Sequence, residues 1–140
     1  MDIEFAKTFM KKSAEDLESA KILYEKGIYS NALYFAQQAA EKAAKALLIL
    51  YGKYVPEHLI SDVVMSLINE VSEELEKKIE RIAEILFRLE KYWLKSRYPL
   101  KKGNKIWDPT KEYSKKEVSE SIKMAKEVIS TVESIISDVE

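Results

Sequence analysis

The stretch Ser30–Gly52, SNALYFAQQAAEKAAKALLILYG, decides the fold. Ala32, Phe35, Ala36, Ala39, Ala43, Leu47 and Leu50 recur with the spacing of one helix face. Ser30 is expected to cap the start of this helix and Gly52 to stop it. Seven alanines between positions 32 and 46 favour the helix and leave so little side-chain bulk that a neighbouring helix can approach closely. The flanking segments are read for the helices that pack against it.

Upstream, Phe5, Phe9, Leu17, Ala20, Leu23 and Tyr24 define a first helix over residues 3–26, ended by Gly27. Downstream, Pro56 suits the first turn of a short third helix, EHLISDVVMSLINE. A long fourth helix, SEELEKKIERIAEILFRLEKYWLKSR, carries Leu75, Ile79, Ile82, Leu86, Leu89 and Trp93 on one stripe. Arg97 and Pro99 bound it, because the residue before a proline is pushed out of the helical region. After a loop of some fifteen residues, Ser114 and Glu117 form an S-x-x-E capping box. Val118, Ile122, Ala125, Ile129, Val132, Ile136 and Val139 follow at alternating spacings of four and three. No segment alternates with period two, so no strand is expected. The predicted fold is all-α: an antiparallel up-and-down bundle of four long helices and one short one, forming one domain over residues 1–140.

Composition narrows the function. With 46% apolar and 34% charged residues the chain is globular. It has no cysteine and one histidine, His58, which leaves no set of ligands for zinc and no paired Glu-x-x-His for a di-metal bundle. No metal and no cofactor are expected. No phosphate-binding glycine loop or nucleophile elbow occurs. Without an apolar run of roughly 18 residues or a leader pattern, a cytoplasmic location and no membrane association are expected. A formal charge of −1 excludes a uniformly basic nucleic-acid binder.

Charge is nevertheless concentrated locally. Lys91–Trp107, KYWLKSRYPLKKGNKIW, holds six Lys or Arg residues, no acidic residue and both tryptophans. Cations at a helix end are favoured by its dipole whatever the function. The alternative is a phosphate site in which Lys95, Arg97, Lys101 and Lys102 hold the anion, while Tyr92, Tyr98 or Trp107 offers a stacking face. Tyr92 and Trp93 are adjacent, so they point about 100° apart and at least one is expected to face a partner. His58 reads either as a helix-start histidine bonded to backbone or as a general base.

The order of segments resembles the HEPN domain family, the higher eukaryotes and prokaryotes nucleotide-binding domain. The resemblance runs from about residue 5 to 135. It rests on A-x-D-L-x-x-A at Ala14–Ala20, G-x-Y at Gly27–Tyr29, the AQQAAEKAAKALL helix, His58–Asp62, and RYP at Arg97–Pro99 before Tyr113 and the last helix. The family implies a helical bundle, commonly a homodimer, often paired with a minimal nucleotidyltransferase in toxin–antitoxin or defence systems. Many members are metal-independent ribonucleases with an Arg followed, after four to six residues, by His. Arg97 matches that Arg, but Lys102, Gly103 and Asn104 stand where the His belongs.

The resemblance therefore implies a non-catalytic nucleotide- or RNA-binding module rather than an enzyme and carries over to Arg97, Tyr98 and Pro99; the local charge adds Lys95, Lys101 and Lys102 to Arg97 and Tyr98 on the phosphate. Tyr92, Trp93, Trp107 and Tyr113 are candidates for stacking or for an interface. The alternatives are a protein-interaction subunit without a nucleotide ligand and a divergent metal-independent ribonuclease using Arg97 with His58 or a tyrosine. Glu41 and Lys45 match the family's E-K-x-x-K run. They read either as a surface ion pair or as part of a cleft with Arg97 and His58.

Overall fold

The computed structural model describes residues 1–140. Helices α1 (Ile3–Glu25), α2 (Tyr29–Leu50), α4 (Glu73–Glu90) and α6 (Lys115–Val139) are the long members of a helical bundle. Between α2 and α4 lie α3 (Ser61–Met65) and a 3-10 turn (Ser66–Glu70). A single helical turn, α5 (Tyr92–Lys95), and a hairpin of β1 (Leu100–Lys102) and β2 (Lys105–Trp107) connect α4 to α6.

Helix α2 is the centre, packing against α1, α4, α5 and α6. Sixteen of its 22 residues are buried, including the expected Ala32, Ala36, Ala39, Ala43, Leu47 and Leu50. Its small side chains admit α1 so closely that the Ser13 hydroxyl on α1 donates to the Ala39 carbonyl of α2, 2.6 Å away. That approach corrects the first helix's expected face. Ala6, Met10, Ser13, Asp16, Leu17 and Ala20 are the buried positions, while Phe5 is 39% exposed. Large apolar side chains are the wrong guide where two backbones meet through small residues.

The turn between α1 and α2 is also tighter than expected. Gly27 (φ 75°) donates to the Tyr24 carbonyl and Ile28 to that of Leu23, a Schellman closure. The Ile28 carbonyl then accepts the first bond of α2, from the Ala32 amide, so Ile28 rather than Ser30 is the N-cap.

Three other expectations change. The third helix begins at Ser61, not after Pro56, because the Ser61 amide donates to the Glu90 carboxylate at the end of α4, 2.8 Å away. His58 therefore sits at a bend in the irregular segment before α3. The fourth helix is interrupted at Lys91, and the buried position after Leu89 is Tyr92 rather than Trp93. The segment expected to be a strandless loop holds the hairpin, paired Leu100 with Trp107 and Lys102 with Lys105. Its strands, three residues each, are too short to show a period. They are joined by Gly103–Asn104, with Gly103 at φ 61° and Asn104 not positive, the pattern of a II′ turn.

Helix α6 starts where expected, with the Ser114 hydroxyl accepting from the Glu117 amide at 3.1 Å. Val118, Ile122, Ala125, Ile129, Val132 and Ile136 are buried as a stripe. Only half of the capping box forms, because the Glu117 carboxylate is engaged by the Tyr92 hydroxyl. Ser114→Ala is expected to cost about 1 kcal/mol, read as a lowered denaturant midpoint at unchanged slope.

Candidate functional site

The site begins on one face of α2. Tyr34, Gln38, Glu41 and Lys45 follow at spacings of four, three and four, so they line up along the helix. Glu41 is 2% and Lys45 8% exposed, so this is no surface ion pair. One carboxylate oxygen of Glu41 accepts from the Gln37 amide at 3.3 Å. The other lies 3.4 Å from the Lys45 ammonium and 3.2 Å from His58 Nδ1. A carboxylate only accepts, so Nδ1 carries the proton and Nε2 is directed elsewhere. The network continues through Gln38 to Lys42, whose ammonium lies 3.1 Å from the Gln38 side-chain oxygen and 2.6 Å from buried Asp16 on α1. No buried side-chain polar atom is left without a partner.

Trp93 carries this network to Arg97. The His58 ring stacks on the indole, centroids 5.1 Å apart and planes 24° from parallel. The Arg97 guanidinium lies 4.5 Å from the same indole, 5.0 Å from the Tyr34 ring and 5.1 Å from the Tyr98 ring. Its Nε donates to the Trp93 carbonyl at 2.6 Å. Arg97 is thus gripped by three aromatic faces and one backbone bond, and no carboxylate neutralises it. A planar cation so fixed is preorganised for an oxyanion.

Lys95 turns to a different neighbourhood. Its ammonium is 5.5 Å from the Trp107 ring, and its carbonyl accepts from the Trp107 indole at 2.8 Å. Lys95, Lys101, Lys102 and Lys105 border a groove of about 350 Å³ over Leu100 and Trp107, which Arg97 does not line. The residues that the sequence suggested as one phosphate site therefore form two groups: Arg97 and Tyr98 with Trp93, Tyr34 and His58, and the lysines around the hairpin. None of the six cations between Lys91 and Lys105 forms an ion pair, whereas eight Lys and Arg residues elsewhere do.

Tyr92 and Tyr113 are structural in this arrangement. Tyr92 is 5% exposed and its hydroxyl donates to Glu117 at 2.5 Å, so its ring offers no stacking face. Tyr113 packs edge-on against both Tyr92 and Trp107, with centroids 5.6 and 5.8 Å away, and pins the hairpin to the bundle. Burial, reinforced by the Glu117 charge, pushes the Tyr92 phenol upward and that of Tyr113 up to about 12. A raised phenol stabilises the fold fully below its unfolded value of 10.0 and loses that contribution as pH climbs through about 12. Stability is thus expected to fall on alkaline titration, and Tyr92→Phe to flatten that fall while costing about 1.5 kcal/mol at neutral pH. Denaturant midpoints measured against pH check both.

A second groove, about 670 Å³, lies between α4 and α6. Glu90, Glu117 and Glu120 there outnumber Arg88 and Lys91, so it is no anion site. No cluster of three or more His, Cys, Asp or Glu residues could hold a metal, and no helix is long and apolar enough to cross a membrane.

Tyr34, Gln37 and Gln38 were not singled out from the sequence. The available signal was a pair of glutamines inside a run of buried alanines, where an amide needs a polar partner. The positions where a ribonuclease histidine would stand, Lys102, Gly103 and Asn104, form the hairpin turn and its flank.

The molecule is thus a small helical bundle with a guanidinium held among aromatic rings at the end of its fourth long segment. Residues 6–135 match the HEPN domain, and the chain belongs to that family. It is 33% identical over 139 residues to a Methanocaldococcus jannaschii protein named "Putative toxin MJ1304", covering 98% of this chain and 91% of that one. Among solved structures it is similar to TT1696 from Thermus thermophilus, with TM-score 0.70 and 28% identity, covering 92% of this chain and 96% of the other. ST0689, an archaeal HEPN homologue, matches with TM-score 0.70 and 27% identity over 94% of this chain and 97% of its own.

Proposed function

We propose that this HEPN-family protein is the binding module of a toxin–antitoxin-type system, and that it holds a phosphate of a nucleotide or RNA at Arg97. The observation that carries this reading is the guanidinium fixed over Trp93, Tyr34 and Tyr98 without a carboxylate partner. Its Nη groups supply the donors, and the exposed Tyr98 ring supplies a face for a base or ribose. The toxin name of the Methanocaldococcus relative supports the two-component setting. In that setting the protein works in the cytoplasm as a homodimer, with a minimal nucleotidyltransferase as its protein partner. Calorimetric titration with ATP, GTP and a short single-stranded RNA tests the ligand. Saturable binding that weakens as salt rises is expected; absence of binding by all three overturns the reading.

One observation favours a second reading, RNA cleavage. His58 is oriented by Glu41 and lies on the same indole as Arg97. In that reading His58 Nε2 takes the proton of a 2′-hydroxyl as its oxygen attacks the adjacent phosphorus, Arg97 neutralises the charge on the phosphorane oxygens, and the P–O5′ bond breaks to leave a 2′,3′-cyclic phosphate and a 5′-hydroxyl that takes its proton from solvent water. Cleavage of single-stranded RNA without metal, abolished by His58→Ala, is the expected sign. Intact RNA across pH 5–8, the range in which an ordinary imidazole changes protonation, rules it out.

A further inference from the structure

We propose that the β1–β2 hairpin is a second anion-binding surface, and that the ligand is a single-stranded RNA engaging the hairpin and Arg97 together. The inference rests on the reading of Arg97 as a phosphate site and goes on to name the ligand's class. Lys95 and Arg97 are two residues apart, yet they are committed to different neighbours. Lys95 lies against Trp107 of the hairpin, and Arg97 against Trp93 and Tyr34 of α2. The phosphates of a mononucleotide are contiguous and serve one of these places. A polynucleotide carries a phosphate at every residue and reaches both.

The hairpin itself fits such a strand. Lys102 and Lys105 face each other across the two strands. Like charges directly opposed are unfavourable in a free ladder, and an anion placed between them relieves that repulsion. Lys95 and Lys101 extend the same rim. On the same face as Lys102 and Lys105, the paired Leu100 and Trp107 give the groove an apolar floor, while Ile106, paired with Lys101, lies on the other face of the hairpin. A positively charged groove over an aromatic and apolar floor suits a strand whose bases are free to stack, not one whose bases are hidden in a duplex. An acidic protein surface would meet the lysines but has no use for the floor.

The test compares the wild type with a variant carrying Lys101→Gln, Lys102→Gln and Lys105→Gln, all at exposed positions. The probes are oligouridine of about ten nucleotides and ATP. At fixed salt the variant is expected to bind the RNA at least about tenfold more weakly, with the slope of log affinity against log salt shallower by about 2. Its ATP affinity and melting temperature are expected to stay unchanged. If the wild type binds both probes and the variant's RNA affinity and slope do not move, the hairpin site is wrong while the Arg97 site stands. Equal losses for RNA and ATP would make the hairpin part of one mononucleotide site and overturn the proposal. So would duplex RNA or polyglutamate competing as well as oligouridine. Failure of the wild type to bind either probe removes the Arg97 reading first, and this inference with it.

Discussion

Glu41→Ala is expected to lower the stability of the fold by about 3–5 kcal/mol, the usual result of removing one partner from a buried ion pair. Glu41 is the hub on which Gln37, Lys45 and His58 converge. Alanine would leave the Lys45 ammonium, 8% exposed, without its counter-charge, and the Gln37 amide without its acceptor. The surrounding alanines of α2 are packed against other helices and offer no replacement donors or acceptors. Glu41→Gln preserves the shape and an acceptor oxygen, so its loss is expected to be smaller. Urea midpoints at constant slope measure both. A loss below about 1 kcal/mol for alanine would show that Lys45 reaches water on its own, and that the network is not the frame of the site.

Arg97→Ala is expected to act on binding rather than on folding. Removing the guanidinium takes away the charged donors and leaves Trp93, Tyr34 and Tyr98 without the cation they enclose. Affinity for a phosphate-bearing ligand should fall about 100-fold, equivalent to about 2.7 kcal/mol. The stability cost is the loss of partly exposed cation–π contacts, about 1 kcal/mol. Arg97→Lys is expected to recover only part of the affinity, because an ammonium is a point charge that cannot lie flat between rings or present a fork of donors. Equal binding by the lysine variant would show that charge alone matters at this position.

Much of the bundle could be read from spacing. The stripe of α6, the alanine face of α2 and the stops at Gly27 and Gly52 each follow from rules that act within a few residues. What could not be read depended on contacts distant in sequence. The start of α3 is fixed by Glu90, 29 residues away. The face of α1 is set by the small residues of α2, not by its own phenylalanines. The hairpin is too short to carry a pattern.

The candidate site divides in the same way. Arg97 stood out because it lies in a basic, aromatic stretch and matches a family motif. His58, Glu41 and Lys45 could be read from sequence either as ordinary surface residues or as part of a cleft, because nothing local brings His58 back to α2. They meet at the Glu41 carboxylate, and Trp93 joins them to Arg97, receiving His58 from the segment before α3 and Arg97 from its own chain four residues on. Tyr34 had no local signal at all, since an aromatic on a central helix is usually core.

The central claim is that Arg97 holds the phosphate of the ligand. Titrating the same short single-stranded RNA onto wild type and Arg97→Ala, side by side at one salt concentration, tests it most directly. The account predicts a dissociation constant about 100-fold higher for the variant, with the helical content of the two proteins the same. Identical dissociation constants would contradict it.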